Sequence, residues 1–202
     1  MRIGVLALQG AFREHLRALA DLGVDGVAVR LPRHLEGLDG LIIPGGESTT
    51  IAKLAILYGL ISPLCAFAKQ GKPIWGTCAG LIFLARDLID YEEQPRLGLL
   101  DIAVQRNAFG RQVDSFVAPL HVAVLDQASK GEEQGQPFPA VFIRAPVIEA
   151  MGEGVQVLAQ LEGNGTVAVQ QGTLLGTAFH PELTTDRRFH SYFLSLVANG
   201  HI

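Results

Sequence analysis

Three short windows of this chain carry residue types that could do covalent chemistry. In Trp75-Gly76-Thr77-Cys78-Ala79-Gly80-Leu81 an apolar run ends at a glycine and a cysteine follows between small neighbours. A helical pattern (Leu81, Ile82, Leu84, Ala85) begins at once. That is the arrangement of a nucleophile elbow, with cysteine in the place of serine. Small residues permit the sharp turn that lifts the sulfur out of the sheet edge. The start of a helix favours a thiolate there, and the Ala79 N–H would point where a tetrahedral oxyanion forms. The window fits equally a buried cysteine serving as a small apolar side chain. Cys65, mid-helix in Leu64-Cys65-Ala66-Phe67, has only that second reading.

A thiol nucleophile needs a base, and the base needs a group to orient it. Of the six histidines, His180 fits best. It follows the β-prone run Leu174–Phe179, at the sheet edge where α/β proteins gather ligands, and Glu182 lies two residues on. A surface loop would explain His-Pro-Glu as well. His15, beside Glu14, either sits near the crevice or faces solvent; His34, His121, His190 and His201 have no partner pattern.

The third window is Pro44-Gly45-Gly46-Glu47-Ser48-Thr49-Thr50. Two glycines after a buried strand let N–H groups converge on an anionic oxygen, and Ser48 or Thr49 can cap the next helix. No lysine precedes Ser48, and only Gln9-Gly10 follows the first strand, so neither nucleotide-binding glycine motif is present. One donor from Gly46 and one from Ala79 would instead make an oxyanion hole. Arg106 and Arg144 interrupt apolar, β-prone surroundings. Each would bind a carboxylate or make an internal salt bridge.

The elements that must position these groups are readable from periodicity. Arg2–Leu8 reads as a strand buried on both faces, and Gly26–Leu31, Gly40–Ile43 and Ile74–Gly76 read as further strands. Helical spacing follows the first strand (Phe12, Leu16, Leu19, Ala20) and recurs over Ser48–Tyr58 and Ile61–Lys69. This is the rhythm of an open parallel sheet covered on both sides. From Leu99 to Val124 short β-prone pieces suggest antiparallel additions or loops, and Gln127–Pro139 reads as a surface loop. Val155–Leu161 and Thr166–Gln170 flank an Asn-Gly turn, a hairpin signal, ahead of the strand Leu174–Phe179. Phe189, Tyr192, Phe193, Leu196 and Val197 give the last helix one apolar face.

With 202 residues, 49% of them hydrophobic, the chain is expected to form a single domain over 1–202. Its net charge of -4 and lack of basic clusters argue against a nucleic-acid partner. Two cysteines make neither a disulfide framework nor a metal site. No leader or membrane-length apolar stretch is evident, so a cytoplasmic location and no membrane association are expected.

Six stretches together resemble the glutaminase subunits of pyridoxal 5'-phosphate synthase, within the class I (triad) glutamine amidotransferase superfamily. They are Gly4–His15 (GVLALQGAFREH), Leu38–Thr50 (LDGLIIPGGESTT), Gly76–Leu81 (GTCAGL), Arg106–Phe116 (RNAFGRQVDSF), Phe142–Pro146 (FIRAP) and His180–Leu183 (HPEL). The resemblance implies an α/β, flavodoxin-like open parallel sheet flanked by helices, with additional antiparallel strands. It implies Cys78 as nucleophile on the side-chain amide of L-glutamine, His180 as base and then acid, and Glu182 as its orienting partner. Gly46, Glu47, Ser48, Arg106, Ile143 and Arg144 are implied at the glutamine pocket, and Gln9-Gly10 beside the oxyanion hole, where backbone rearranges on docking of a partner. No cofactor or metal is implied.

The implied partner is a (β/α)₈-barrel synthase subunit in a large heteromeric complex. It would use the ammonia to make pyridoxal 5'-phosphate from ribose 5-phosphate and glyceraldehyde 3-phosphate. Such a barrel needs ~250 residues and lies outside this chain. Its contact surface is expected to include Gly10–His15 and Glu47–Thr50. Two alternatives are a stand-alone cysteine hydrolase on the same scaffold and a binding module that has lost its chemistry. An open acyl pocket would mark the first; the intact Cys78, His180 and Glu182 set argues against the second.

Overall fold

The computed structural model describes residues 1–89, 91–106, 115–128, 134–163 and 165–200. Its N-terminal half alternates strands and helices: β1 (Arg2–Leu6), α1 (Phe12–Asp21), β2 (Asp25–Val29), β3 (Gly40–Ile43), α2 (Ser48–Leu57), α3 (Ile61–Lys69), β4 (Ile74–Thr77) and α4 (Ala79–Leu84). β3 and β4 are buried along their whole length, as their unbroken aliphatic runs require. Then come β5 (Ala85–Leu88), β6 (Leu100–Gln105), β7 (Ser115–Leu120), α5 (Ala123–Ala128), β8 (Phe138–Ile143), β9 (Val147–Met151), β10 (Gln156–Leu161), β11 (Gly165–Gln171), β12 (Leu174–Thr177) and α6 (Arg188–Asn199). The main sheet runs β2-β1-β3-β4-β12-β11-β9-β6-β5, with β10 on β11, and β7-β8 form a separate ribbon. From β2 to β12 neighbours are parallel; β11, β9 and β10 add antiparallel pairs. This is the α/β open sheet with antiparallel additions that the sequence implies.

Three segments depart from the sequence reading. The helical pattern after Gly80 does not continue through Ala85: the chain turns extended there (φ −58°, ψ 146°) and pairs as β5 with β6. Val124 and Gln127 belong to the short helix α5, not to a β-piece and a loop. The expected loop also ends early, because Phe138 and Pro139 open β8. Pro139 pairs with Pro119 across the β7-β8 ribbon, and two residues without N–H can face each other only where the ladder makes no hydrogen bond. Residues 107–114, 129–133 and Asn164, in stretches read above, lie outside the described residues.

The core is aromatic on the side of α6. Phe189 packs edge-on against Phe138 and Phe179, with Trp75 stacked at 6.3 Å. Phe189, Phe193 and Val197 are fully buried, the predicted face of α6, with Tyr192 and Leu196 half-buried beside them. Among the described residues no single helix is long and apolar enough to cross a membrane. β3, β4 and β12 are adjacent and parallel, so their C-terminal ends bring the three windows to one edge.

Candidate active site

Cys78 stands between β4 and α4 with φ 48° and ψ −103°. A non-glycine residue in that region costs ~1–3 kcal/mol and persists only where its surroundings over-determine it. Here they do. A Cβ on Gly76 would lie 2.5 Å from the Gly80 carbonyl oxygen, and one on Gly80 would lie 1.9 Å from that of Ile43. Strand, helix and the neighbouring β3 therefore meet at backbone contact, and the turn has no other course.

His180 follows β12, its N–H bonded to the Val141 carbonyl at 2.8 Å. Pro181–Leu183 then form one turn of 3₁₀ helix, which folds Glu182 back so that its Oε1 lies 2.7 Å from His180 Nδ1. The other ring nitrogen is left for Cys78, which lines the same cavity. Burial alone would pull the imidazole pKa down. The hydrogen bonds and charges of Cys78 and Glu182 outweigh that and push it up to about 10. The ring thus holds its proton at neutral pH when a thiolate faces it.

The glycine loop is pinned from two sides. Gly45 donates its N–H to Thr77 Oγ1 (3.0 Å) and accepts from Ala11 N–H (3.0 Å). Glu47 N–H donates to Gln9 Oε1 at 2.7 Å. Gly10, at φ 90°, packs so close that a Cβ would stand 1.9 Å from the Gly45 oxygen. The helix cap is Glu47 rather than Ser48 or Thr49. Its carboxylate accepts from the N–H groups of Thr49 (3.1 Å) and Thr50 (2.7 Å) and from both hydroxyls. Slight burial raises its pKa, and these four bonds reverse that and hold it at about 2. The Glu47 carboxylate and N–H are therefore already engaged, although the residue lines the site.

Cys78, Ala79, His180, Gly46, Glu47, Ser48, Gln9, Ile82, Arg106, Ile143 and Arg144 enclose one cavity of about 400 Å³, within the span of small-molecule sites. Of the residues that the family resemblance implies at the site, all line it except Glu182, which backs His180, and Gly10, which backs the loop. Cys78 Sγ lies 3.8 Å from the Ile143 carbonyl. Arg144 is exposed and holds φ 43°, and no carboxylate among the described residues is within salt-bridge distance of it. Arg106 donates to Gln94 Oε1 (2.7 Å) and lies over the Tyr91 ring. Ser48 Oγ donates to the same Gln94 oxygen at 3.2 Å. Among the described residues no three His, Cys, Asp or Glu side chains are grouped as a metal site.

Residues 5–199 match the family described as SNO glutamine amidotransferase. The chain belongs to that family. It is 57% identical over 197 residues to a Moorella thermoacetica protein named pyridoxal 5'-phosphate synthase subunit PdxT, covering 98% of this chain and all of the relative. A Deinococcus radiodurans protein of the same name is 56% identical over 200 residues, covering 97% of each chain. A crystal structure of a glutamine amidotransferase matches with a TM-score of 0.89 at 51% identity, over 98% of this chain and all of the other.

Two expectations need correction in this member of the glutamine amidotransferase family. His15 neither lines the cavity nor faces solvent: it is fully buried, 3.0 Å from His190 Nε2 and 3.3 Å from Thr77 Oγ1. Its side chain thus has no place on a partner surface spanning Gly10–His15. The buried face of α1 is His15, Ala18 and Leu19, with Ala20 exposed. No role was read for Thr77 or Gln94, and His190, expected to have no partner pattern, is paired with His15. The i, i+3, i+4 spacing of His15 with Ala18 and Leu19 was the available signal for the first helix; Gln94 had none.

Proposed function

We propose that Cys78, His180 and Glu182 hydrolyse the side-chain amide of L-glutamine to L-glutamate and ammonia. The observation that carries this is the strained cysteine lining one cavity with an imidazole whose other nitrogen is bonded to a buried carboxylate. The Cys78 sulfur attacks the δ-carbonyl carbon, and the oxyanion is met by the N–H groups of Gly46 and Ala79. His180 passes its proton to the departing nitrogen, which leaves as ammonia, with a glutamyl thioester on Cys78. Water adds to the thioester with His180 as base, releasing glutamate and the thiolate. Arg106 and Arg144, with Ser48, take the charged end of the amino acid.

The two relatives named as pyridoxal 5'-phosphate synthase subunits support a further step: the ammonia passes to a separate synthase subunit of the (β/α)₈ type. The test is ammonia release from glutamine by the purified chain, titrated with that subunit. Little turnover alone and a rise of at least ~10-fold in kcat on docking are expected if docking selects the competent loop arrangement. Full turnover alone, unchanged by the partner, would remove the gating and leave the chemistry standing.

Substrate recognition has its own readout. Losing a charge-assisted hydrogen bond costs ~1.5–3 kcal/mol. Arg144→Ala and Arg106→Ala should therefore raise KM for glutamine by roughly tenfold or more with kcat changed far less, because the charged end is bound alike in ground and transition states. Saturation curves for both variants decide it. An unchanged KM in both would make the arginines structural.

A further inference from the structure

Behind the cavity lies a buried polar chain that the mechanism above does not use. Glu182 spends Oε1 on His180, while its Oε2, equally buried, has no hydrogen bond among the described residues. His15 Nε2, from α1, stands 3.3 Å from that oxygen. The contact serves the carboxylate electrostatically although it falls short of hydrogen-bond alignment. On the far side, His15 Nδ1 is 3.0 Å from Nε2 of His190 in α6. Trp75 walls both rings edge-on, at 5.7 and 5.0 Å.

The proton positions follow from what each neighbour can accept. A carboxylate oxygen only accepts, so His15 Nε2 facing Glu182 carries the proton, which it also offers to Thr77 Oγ1 at 3.3 Å. His15 Nδ1 is then an acceptor and takes its bond from His190 Nε2–H. His190 Nδ1 is left as a bare lone pair, without a partner among the described residues. The opposite tautomers would bury an orphan N–H at His190 and turn a lone pair of His15 toward an anion. Orphan donors are the rarer fault, and lone pair against carboxylate is repulsive. Burial first, then the nearby charges, lowers both imidazoles, His190 to about 3, so both are neutral.

We propose that His15 is a positioning residue: its Nε2–H faces the Glu182 oxygen that His180 does not use and fixes the carboxylate toward His180 Nδ1, while His190 fixes the tautomer of His15. This rests on the Cys78, His180 and Glu182 reading given above. The groups facing Glu182 are His180 on its own segment and His15 of α1. Behind His15 stand His190 and Arg187 at α6, the latter paired with Asp21 of α1 at 2.7 Å, and Cys78 lies beyond His180. Without the His15 N–H the carboxylate is freer to turn or to take up a proton, and in either case His180 loses the anion that holds its own proton.

The test is the titration of the His180 ring followed by NMR in the full chain, beside steady-state kinetics with glutamine. In the wild type the ring should titrate near about 10. His15→Leu, close in size and without a donor, should lower that midpoint by at least ~1 unit. It should also reduce kcat by up to roughly 100-fold with KM within about twofold, as expected of a misplaced catalytic group. His15→Gln, whose amide N–H can stand in for Nε2–H, should recover both. An unmoved midpoint and kcat in His15→Leu would overturn the proposal, as would a His15→Gln variant no better than His15→Leu. Should His15→Leu fail to fold, His190→Leu carries the test, because it frees His15 to exchange tautomers. A downward shift supports the proposal and no shift overturns it. Activity of Cys78→Ala decides the triad reading separately, since the His180 titration can be followed whether or not that reading survives.

Discussion

Cys78→Ala should abolish ammonia release from glutamine, by at least ~10³-fold in kcat, the scale on which removal of a nucleophile acts. Cys65→Ala should keep most of it. The two cysteines differ in everything but type. Cys78 is held at a positive φ at the head of α4 and opens onto the cavity beside an imidazole whose pKa is pushed up to about 10. Cys65 is half-buried in α3, packed against the core, its one polar contact among the described residues being the Leu97 carbonyl at 4.0 Å. Alanine at 78 keeps the Cβ and hence the backbone strain, so the melting midpoint should move little while activity vanishes. Alanine at 65 removes a sulfur from a packed site and should cost stability of ~1 kcal/mol without touching kcat. Ammonia production and thermal unfolding of both purified variants separate these effects. Activity remaining in Cys78→Ala would end the assignment of the nucleophile.

The parts of this fold that were legible in the sequence are those whose physics is local. β1, β3 and β4 are buried on both faces, so their residues form continuous apolar runs, and no alternation is needed to find them. The elbow was legible because its constraint is steric and sits within five residues: Gly76 and Gly80 touch each other's backbone. β5 was not, because Leu81, Ile82, Leu84 and Ala85 continue a helical period across the point where the chain turns extended. The capping residue was ambiguous for a related reason. Ser48 and Thr49 are the usual capping types, and Glu47 takes their place where Gln9 holds the Glu47 N–H from a segment 38 residues away. The His15–His190 pair spans 175 residues. An imidazole reads as polar in isolation, and only the tertiary fold supplies the carboxylate, hydroxyl and second ring that make its burial tolerable.

Gly45→Ala should lower kcat by roughly 100-fold or more, the scale of an ~1 Å displacement at a reacting group, with KM for glutamine much less affected. The sequence reading gave the two glycines one role, converging N–H groups. In the structure Gly45 has another. A Cβ there would stand 2.4 Å from His180 Cε1, 2.9 Å from Nδ1 and 3.3 Å from Cys78 Cβ, so its Cα is the surface against which the catalytic ring rests. The loop has nowhere to retreat, because its N–H is bonded to Thr77 and its carbonyl to Ala11, with Gly10 packed behind. The ring is the part left to move, and turning it breaks the 2.7 Å bond to Glu182. Gly46→Ala should do less: its Cβ would meet Gln9 Oε1 at 2.2 Å and the Gly10 Cα at 3.1 Å, and the Gln9 side chain can swing aside by giving up its bond to the Glu47 N–H. Kinetics of the two variants, with circular dichroism to show that both are folded, give the comparison. A Gly45→Ala enzyme within about threefold of wild type, under one kcal/mol of barrier, would mean that the loop yields and His180 does not depend on it for placement.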